Sequence, residues 1–211
     1  MRLKNVKGAN DIIISGKYYV DNPKEYIGKW QKLFGNDNKI ELEIGMGKGK
    51  FIIEKAINNP DINYIGVEKF DSVIVRAIQK TNELELSNLK LIRMDAIDID
   101  LVFDKEIDML YLNFSDPWPK ERHAKRRLTS SIFLDKYDSI FKDKSHIIMK
   151  TDNIDLFNYS LDSLRCHGYD IIFKTNDLKE DINGQTEYEE KFRLKGIKIN
   201  KLEAIKKECH K

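Results

Sequence analysis

A stretch of eleven residues, IELEIGMGKGK from Ile40 to Lys50, most constrains this chain. An aliphatic, β-branched run breaks into three glycines, Gly45, Gly47 and Gly49, and FIIEKAI follows with apolar residues spaced for a helix against a sheet. This is a strand, a tight turn and a helix. Such a turn lets the backbone pass close to a ligand, and the helix behind it presents N-terminal amides and partial positive charge. The same turn also occurs for conformational reasons alone, so its surroundings must decide.

Further strand-like runs follow. NYIGVE ends in Glu68, LKLIRMD in Asp95 and IDMLYLNFSD in Asp116, while Glu43 lies two residues before Gly45. In an open parallel sheet the ligand crevice lies outside the carboxyl ends of the strands, so these four acids converge on one acidic pocket. Acids there repel a pyrophosphate, which disfavours a nicotinamide dinucleotide, as does the compressed GxGxG spacing. S-adenosylmethionine has no phosphate and carries a sulfonium, an ammonium, a ribose diol and an adenine amino group. Glu43 suits the ammonium end, Glu68 the ribose hydroxyls and Asp95 the adenine amino group.

Strands at 40–44, 64–68, 89–95, 107–114 and 146–152 alternate with helices from about 50, at 70–83, around IFLDKYDSIF and at 154–166. That alternation predicts an α/β fold, a mostly parallel sheet with helices on both faces. YDIIFKT reads as a further strand, and TEYEEKFRLKG, 186–196, as a last strand at the sheet edge. NPKEYIGKWQKLFGN, 22–36, reads as one helix covering the sheet, with Pro23 at its start and Tyr26, Trp30, Leu33 and Phe34 on one face. Residues 1 to about 20 carry Arg2, Lys4, Lys7 and Lys17 in mostly polar sequence and read as a basic tail, usually disordered. With 211 residues the chain suits a single domain overall: tail and covering helix over 1–36, α/β domain over 37–211.

Net charge excludes little: charged residues are 34% of the chain, yet they sum to only +2. Two distant cysteines, Cys166 and Cys209, suggest neither a disulfide framework nor a zinc site, so no metal is expected. Without a membrane-length apolar run or a signal-peptide core, the expectation is a cytoplasmic protein with no membrane association.

The loop SDPWPKERHAKRR, 115–127, carries the most chemistry. Pro117 and Pro119 stiffen it and hold Asp116 at the pocket mouth, while Trp118 is either a core anchor or a stacking surface for a base. Lys120, Arg122, His123, Lys125, Arg126 and Arg127 follow, against one acid, Glu121. A cationic cluster beside a methyl-donor pocket gives a nucleic acid somewhere to bind.

Taken together, EIGMGKGKF, GVEK, RMDA, SDPWPKERHAKRR, MKTDN and TEYEEKF resemble the bacterial tRNA (guanine-N7-)-methyltransferases, in order and over nearly the whole chain. The resemblance implies a Rossmann-like class I methyltransferase with a seven-stranded sheet. It would use S-adenosylmethionine, yield S-adenosylhomocysteine and methylate N7 of a variable-loop guanine in tRNA. It implies cofactor contacts at Glu43, Gly45, Gly47, Glu68, Asp95 and Asp116, with Asp116 also the catalytic acid. Substrate contacts fall on Lys120, Asp152, Thr186, Glu187, Tyr188 and Glu189, and RNA contacts on Arg122, His123, Lys125, Arg126 and Arg127. A monomer or homodimer with no obligate protein partner is expected. Two readings compete: an amino-group methyltransferase, whose motif usually carries two consecutive prolines before the aromatic, and a non-catalytic RNA-binding protein on a degenerate cofactor fold.

Overall fold

The structure is a computed structural model that describes residues 6–179 and 184–206. Seven strands, β1 (Ile40–Ile44), β2 (Asn63–Glu68), β3 (Leu89–Arg93), β4 (Met109–Asn113), β5 (Ser145–Thr151), β6 (Asp170–Thr175) and β7 (Asn200–Lys206), form one sheet in the order β3-β2-β1-β4-β5-β7-β6. β1 to β5 are parallel, and β7 inserts antiparallel between β5 and β6. The order reverses between β1 and β4, and a ligand crevice belongs outside the carboxyl ends of those two strands.

Strand β1 shows how alternation sorts side chains. Ile40, Leu42 and Ile44 join the cluster under α2 (Trp30–Phe34), α5 (Ser131–Ile140) and α6 (Ile154–Cys166). Glu41 and Glu43 are buried too, but they meet polar partners: Tyr111 Oη donates to Glu41 at 2.8 Å, and Asn113 Nδ2 to Glu43 at 2.9 Å. The opposite layer consists of α1 (Ala9–Ile14), α3 (Lys50–Asn58) and α4 (Asp71–Thr81), with Ile13, Ile52 and Ile78 wholly buried. Each such side chain contributes about 1.5–3 kcal/mol.

Local chemistry explains where the structure departs from the sequence reading. The proposed helix over 22–36 is broken into a 3-10 turn, Pro23–Tyr26, and the short α2. Gly28 between them takes a φ of +68°, and the Glu106 carboxylate accepts from Gly28 N and Trp30 N at 2.8 and 2.9 Å. The expected tail is structured from residue 6, because Ile13 gives α1 a buried anchor against α4. Val20 N then donates to Leu91 O and Leu91 N to Tyr18 O, pairing the chain with β3. Arg2 and Lys4 lie outside the described residues.

The largest correction concerns TEYEEKFRLKG. It forms helix α7 (Glu187–Arg193) instead of an edge strand, and the seventh strand is Asn200–Lys206, inside the sheet. Thr186 caps α7 by accepting from Glu189 N at 3.0 Å, and acids in the first turn with Lys191 and Arg193 in the last suit the helix dipole. Among the described residues no helix is long and apolar enough to cross a membrane.

Candidate active site

The glycine turn joins β1 to α3 with Gly45, Gly47 and Gly49 at φ of +77°, +60° and +79°, a left-handed run that side chains resist. It packs on β2 at Gly66, where an added Cβ would lie 2.3 Å from Met46 Sδ. Beside this turn opens a crevice of about 920 Å³, lined by Glu43, Gly45, Gly47, Glu68, Asp95, Asn113 and Asp116 among others. The four acids proposed from the strand ends therefore share one cavity.

Their environments differ. Glu43 is 1% exposed; Asn113 satisfies one oxygen, while Oε2 is buried with no hydrogen-bond partner among the described residues. Desolvation pushes its carboxyl up to about 7, against the Asn113 hydrogen bond and the nearby Lys150 charge. Glu68 accepts from the backbone amides of Gly47 at 3.1 Å, Lys69 at 2.8 Å and Phe70 at 3.0 Å. Burial still raises it above its usual range, and Asp116 nearby adds to the rise. Asp95 moves the other way: burial opposes its charge, but hydrogen bonds from Lys69 Nζ at 2.6 Å and Ile97 N at 3.1 Å outweigh that and lower it. Phe70, Val73, Met94 and Ile97 supply apolar wall.

Several lysines in and beside the wall are paired with carboxylates. Lys48 and Lys80 pair with Glu187 at 2.9 and 2.8 Å, Lys50 pairs with Glu190, and Lys69 pairs with Asp95. The first three pairs draw α7 over the glycine turn. The deeply buried charged members of the lining, Glu43 and Glu68, are carboxylates, and Glu43 Oε2 has no hydrogen-bond partner among the described residues. This donor set fits a ligand with a cationic end, hydroxyls and a flat apolar ring system, and it does not cradle phosphates.

Around the mouth, the Asp116 loop is held in an unusual conformation. Phe114 and Trp118 adopt φ of +51° and +42°, which for such side chains costs roughly 1–2 kcal/mol each. Phe114 stacks with Tyr188 at 6.3 Å and lies 5.8 Å from Phe192. The Trp118 ring receives the Arg126 guanidinium at 4.8 Å and the His123 edge at 5.8 Å. It is part of the crevice wall rather than buried in the core.

The other proposed site residues divide. Thr186, Glu187, Tyr188, Lys125 and Arg126 line the crevice with the acids, whereas Lys120, Arg122, His123 and Asp152 do not. Lys120 and Arg122 are exposed on the 3-10 segment around Glu121–Arg126, and Asp152 is exposed just past β5. Two residues are used inside the protein. Arg127 is buried and donates to Pro117 O and Trp118 O; Glu189 is buried and bonds Lys150 and Arg193. Asn113, Phe70 and Phe114 were missed by the sequence reading; an asparagine ending an otherwise aliphatic strand is the signal that could have found the first.

The seven-stranded sheet with an antiparallel β7, the glycine turn and the acid-lined switch-point crevice define a class I methyltransferase. Residues 37–202 match the family model described as "Putative methyltransferase". The chain is 48% identical over 211 residues to a tRNA (guanine-N(7)-)-methyltransferase of Lachnoclostridium phytofermentans, covering 98% of this chain and 99% of that one. It is 51% identical over 209 residues to a Bacillus cytotoxicus protein of the same name, with 97% and 96% covered. A solved structure titled "Structure of an Antibiotic Related Methyltransferase" superimposes with a TM-score of 0.68 over 92% of this chain and 98% of that one, at 18% identity, a likeness of fold alone. The chain belongs to the tRNA (guanine-N(7)-)-methyltransferase family.

Proposed function

We propose that this protein methylates N7 of a variable-loop guanine in tRNA, using S-adenosylmethionine bound in the acidic crevice. The observation that carries the reading is that one cavity is lined both by the acids Glu43, Glu68, Asp95 and Asp116 and by the cations Lys125 and Arg126 of the basic run. Glu43 takes the ammonium end, Glu68 the ribose hydroxyls and Asp95 the adenine amino group, with Phe70 and Ile97 against the ring. When bound, S-adenosylmethionine supplies an electrophilic methyl group.

Guanine N7 already offers an in-plane lone pair and carries no proton, so the protein's task is alignment and electrostatic support. The Asp116 carboxylate accepts from guanine N1–H and N2–H, which fixes the base and stabilises positive charge as it grows on the ring. Lys125 and Arg126 hold tRNA phosphates at the rim, and the exposed Tyr188 face, backed by Phe114, receives the unstacked base.

The test is transfer of labelled methyl from S-adenosylmethionine to unmodified tRNA transcripts, followed by nucleoside analysis. The expected product is N7-methylguanosine, only in transcripts with the variable-loop guanine. A methyl group on an adenine or cytosine amino nitrogen, or no transfer despite cofactor binding, would overturn the assignment.

A further inference from the structure

Lys150 is a lysine with no exposed surface, set in the carboxyl half of β5. Its Nζ donates to Glu189 Oε2 at 2.9 Å and to Gly184 O at 2.6 Å, and lies 5.4 Å from the centre of the Phe51 ring. Glu189 is equally buried. Its other oxygen, Oε1, accepts from Arg193 Nε and Nη2 at 3.1 and 2.8 Å, and Arg193 Nη1 donates to Leu178 O and Lys179 O. One carboxylate thus ties together β5, α7 and the backbone on either side of residues 180–183. Burying such a pair is costly, and hydrophobic residues often stabilise as well. The position of the pair suggests what it is for.

Thr186, Glu187 and Tyr188 of the α7 turn line the crevice, and β5 lies beside β4, whose Asn113 holds Glu43. Lys150 is the register partner of Asn113 on the neighbouring β4, so it lies on the sheet face from which Asn113 reaches Glu43; among the described residues the charges that act on Glu43 are Lys150 from β5 and Glu68 from β2. Lys150 therefore acts on two parts of the site at once: through Glu189 on the α7 wall, and through its charge on the crevice floor. We propose that Lys150 is a positioning residue of the methyl-transfer site, fixing α7 against the sheet and placing a buried cation on the sheet face that carries Asn113 and Glu43. This rests on the methyltransferase reading for its consequence, but not for its geometry. Lys150 touches neither reacting group; Glu43 and the α7 wall transmit its effect.

The primary readout needs no ligand: NMR titration of the Glu43 carboxyl in full-length protein labelled with [δ-13C]glutamate, the resonance assigned with Glu43→Gln. In Lys150→Met the Glu43 midpoint should rise by about one unit or more, since an attractive charge close by is gone. Lys150→Met alone leaves Glu189 with less compensation and risks misfolding, so Lys150→Met/Glu189→Gln, which removes both buried charges, is measured beside it and should show the same rise. The second readout is calorimetric affinity for S-adenosylhomocysteine between pH 6 and 9. With a one-unit rise the variants should bind about threefold more weakly near pH 7.5 and approach a roughly tenfold loss near pH 6, recovering towards pH 9 as the new midpoint is passed. An unchanged Glu43 midpoint in a folded variant, or a loss of affinity independent of pH, overturns the proposal. If the wild type binds no S-adenosylhomocysteine, the methyltransferase reading fails while the ligand-free titration still decides the role of Lys150.

Discussion

The Arg127 side chain holds the backbone of Trp118 in place: its Nη2 donates to the Trp118 carbonyl at 3.1 Å, while Nε donates to that of Pro117 at 3.2 Å. The guanidinium also sits 4.2 Å over the Tyr159 ring of α6. Arg127 therefore braces the Asp116 loop and is not a free cation for phosphate. Arg127→Lys keeps the charge but loses the planar fork. It should cost about 1–3 kcal/mol in urea denaturation and lower kcat, with the salt dependence of tRNA binding unchanged. A flatter salt slope would return Arg127 to the RNA interface.

Glu43 predicts an opposition between stability and binding. Its folded-state midpoint of about 7 lies above the ordinary 4.5, so its contribution to stability is complete below about 4.5 and is lost as pH rises through about 7. At about 1.36 kcal/mol per unit, the loss is on the order of 3 kcal/mol. Glu43→Gln should accordingly be more stable than wild type at pH 8 and nearly equal at pH 5, read by urea denaturation at both values. The same variant should bind S-adenosylhomocysteine less well at pH 8. In the wild type, binding below about pH 7 should release a proton, detectable as a dependence of calorimetric heat on buffer ionisation enthalpy.

These two residues mark how far the sequence could be read. Glu43 was legible because a β-branched run, a glycine turn and an acid at fixed spacing are local signals, and parallel topology converts strand ends into a shared crevice. Arg127 was not, because Arg126 and Arg127 are chemically identical in a list, and only the folded loop turns the Pro117 and Trp118 carbonyls towards one of them. For α7, the capping pattern of Thr186 and Glu189 was present in the sequence, and it is this cap, with acids in the first turn and Lys191 and Arg193 in the last, that makes the segment a helix and not the expected edge strand. The pairing of Lys150 with Glu189 spans 39 residues and exists only because β7 places α7 back against β5.

Glu187 was expected to touch substrate, yet it bridges Lys48 and Lys80, with burial opposing its charge and both lysines lowering its carboxyl below the usual range. These side chains are partly exposed, so the pairs contribute at most about 1 kcal/mol to stability. Their effect should be on the α7 wall. Glu187→Gln should leave the melting temperature nearly unchanged while speeding dissociation of S-adenosylhomocysteine in stopped-flow measurements. At about 1 M salt, where the screening length falls to roughly 3 Å, wild type and variant should converge.

Lys125 and Arg126 are the members of the 120–127 basic run that line the crevice, so they should carry phosphate contacts. In Lys125→Gln/Arg126→Gln the apparent KM for tRNA should rise, and the slope of log affinity against log salt should flatten by about 0.7–0.9 for each phosphate that is no longer neutralised. S-adenosylhomocysteine affinity should stay within a few-fold of wild type. An unchanged slope would remove these residues from the interface.

Asp116 carries the most specific expectation. It follows Phe114 and precedes Trp118, two residues with left-handed backbone, in a loop fixed by Pro117, Pro119 and the Arg127 brace. Its carboxylate is exposed at the crevice. Asp116→Asn keeps size and one acceptor but replaces the other with a donor, which opposes the guanine N1–H and N2–H and removes the charge that offsets a cationic ring. If the charge acts on the transition state, kcat should fall about 10²–10³-fold with the KM for tRNA little changed, a loss comparable to deleting one preorganised charge-stabilising group. If Asp116 only holds the base in the ground state, KM rises and kcat persists, and the carboxylate is then a binding group with no part in stabilising the charge on the purine.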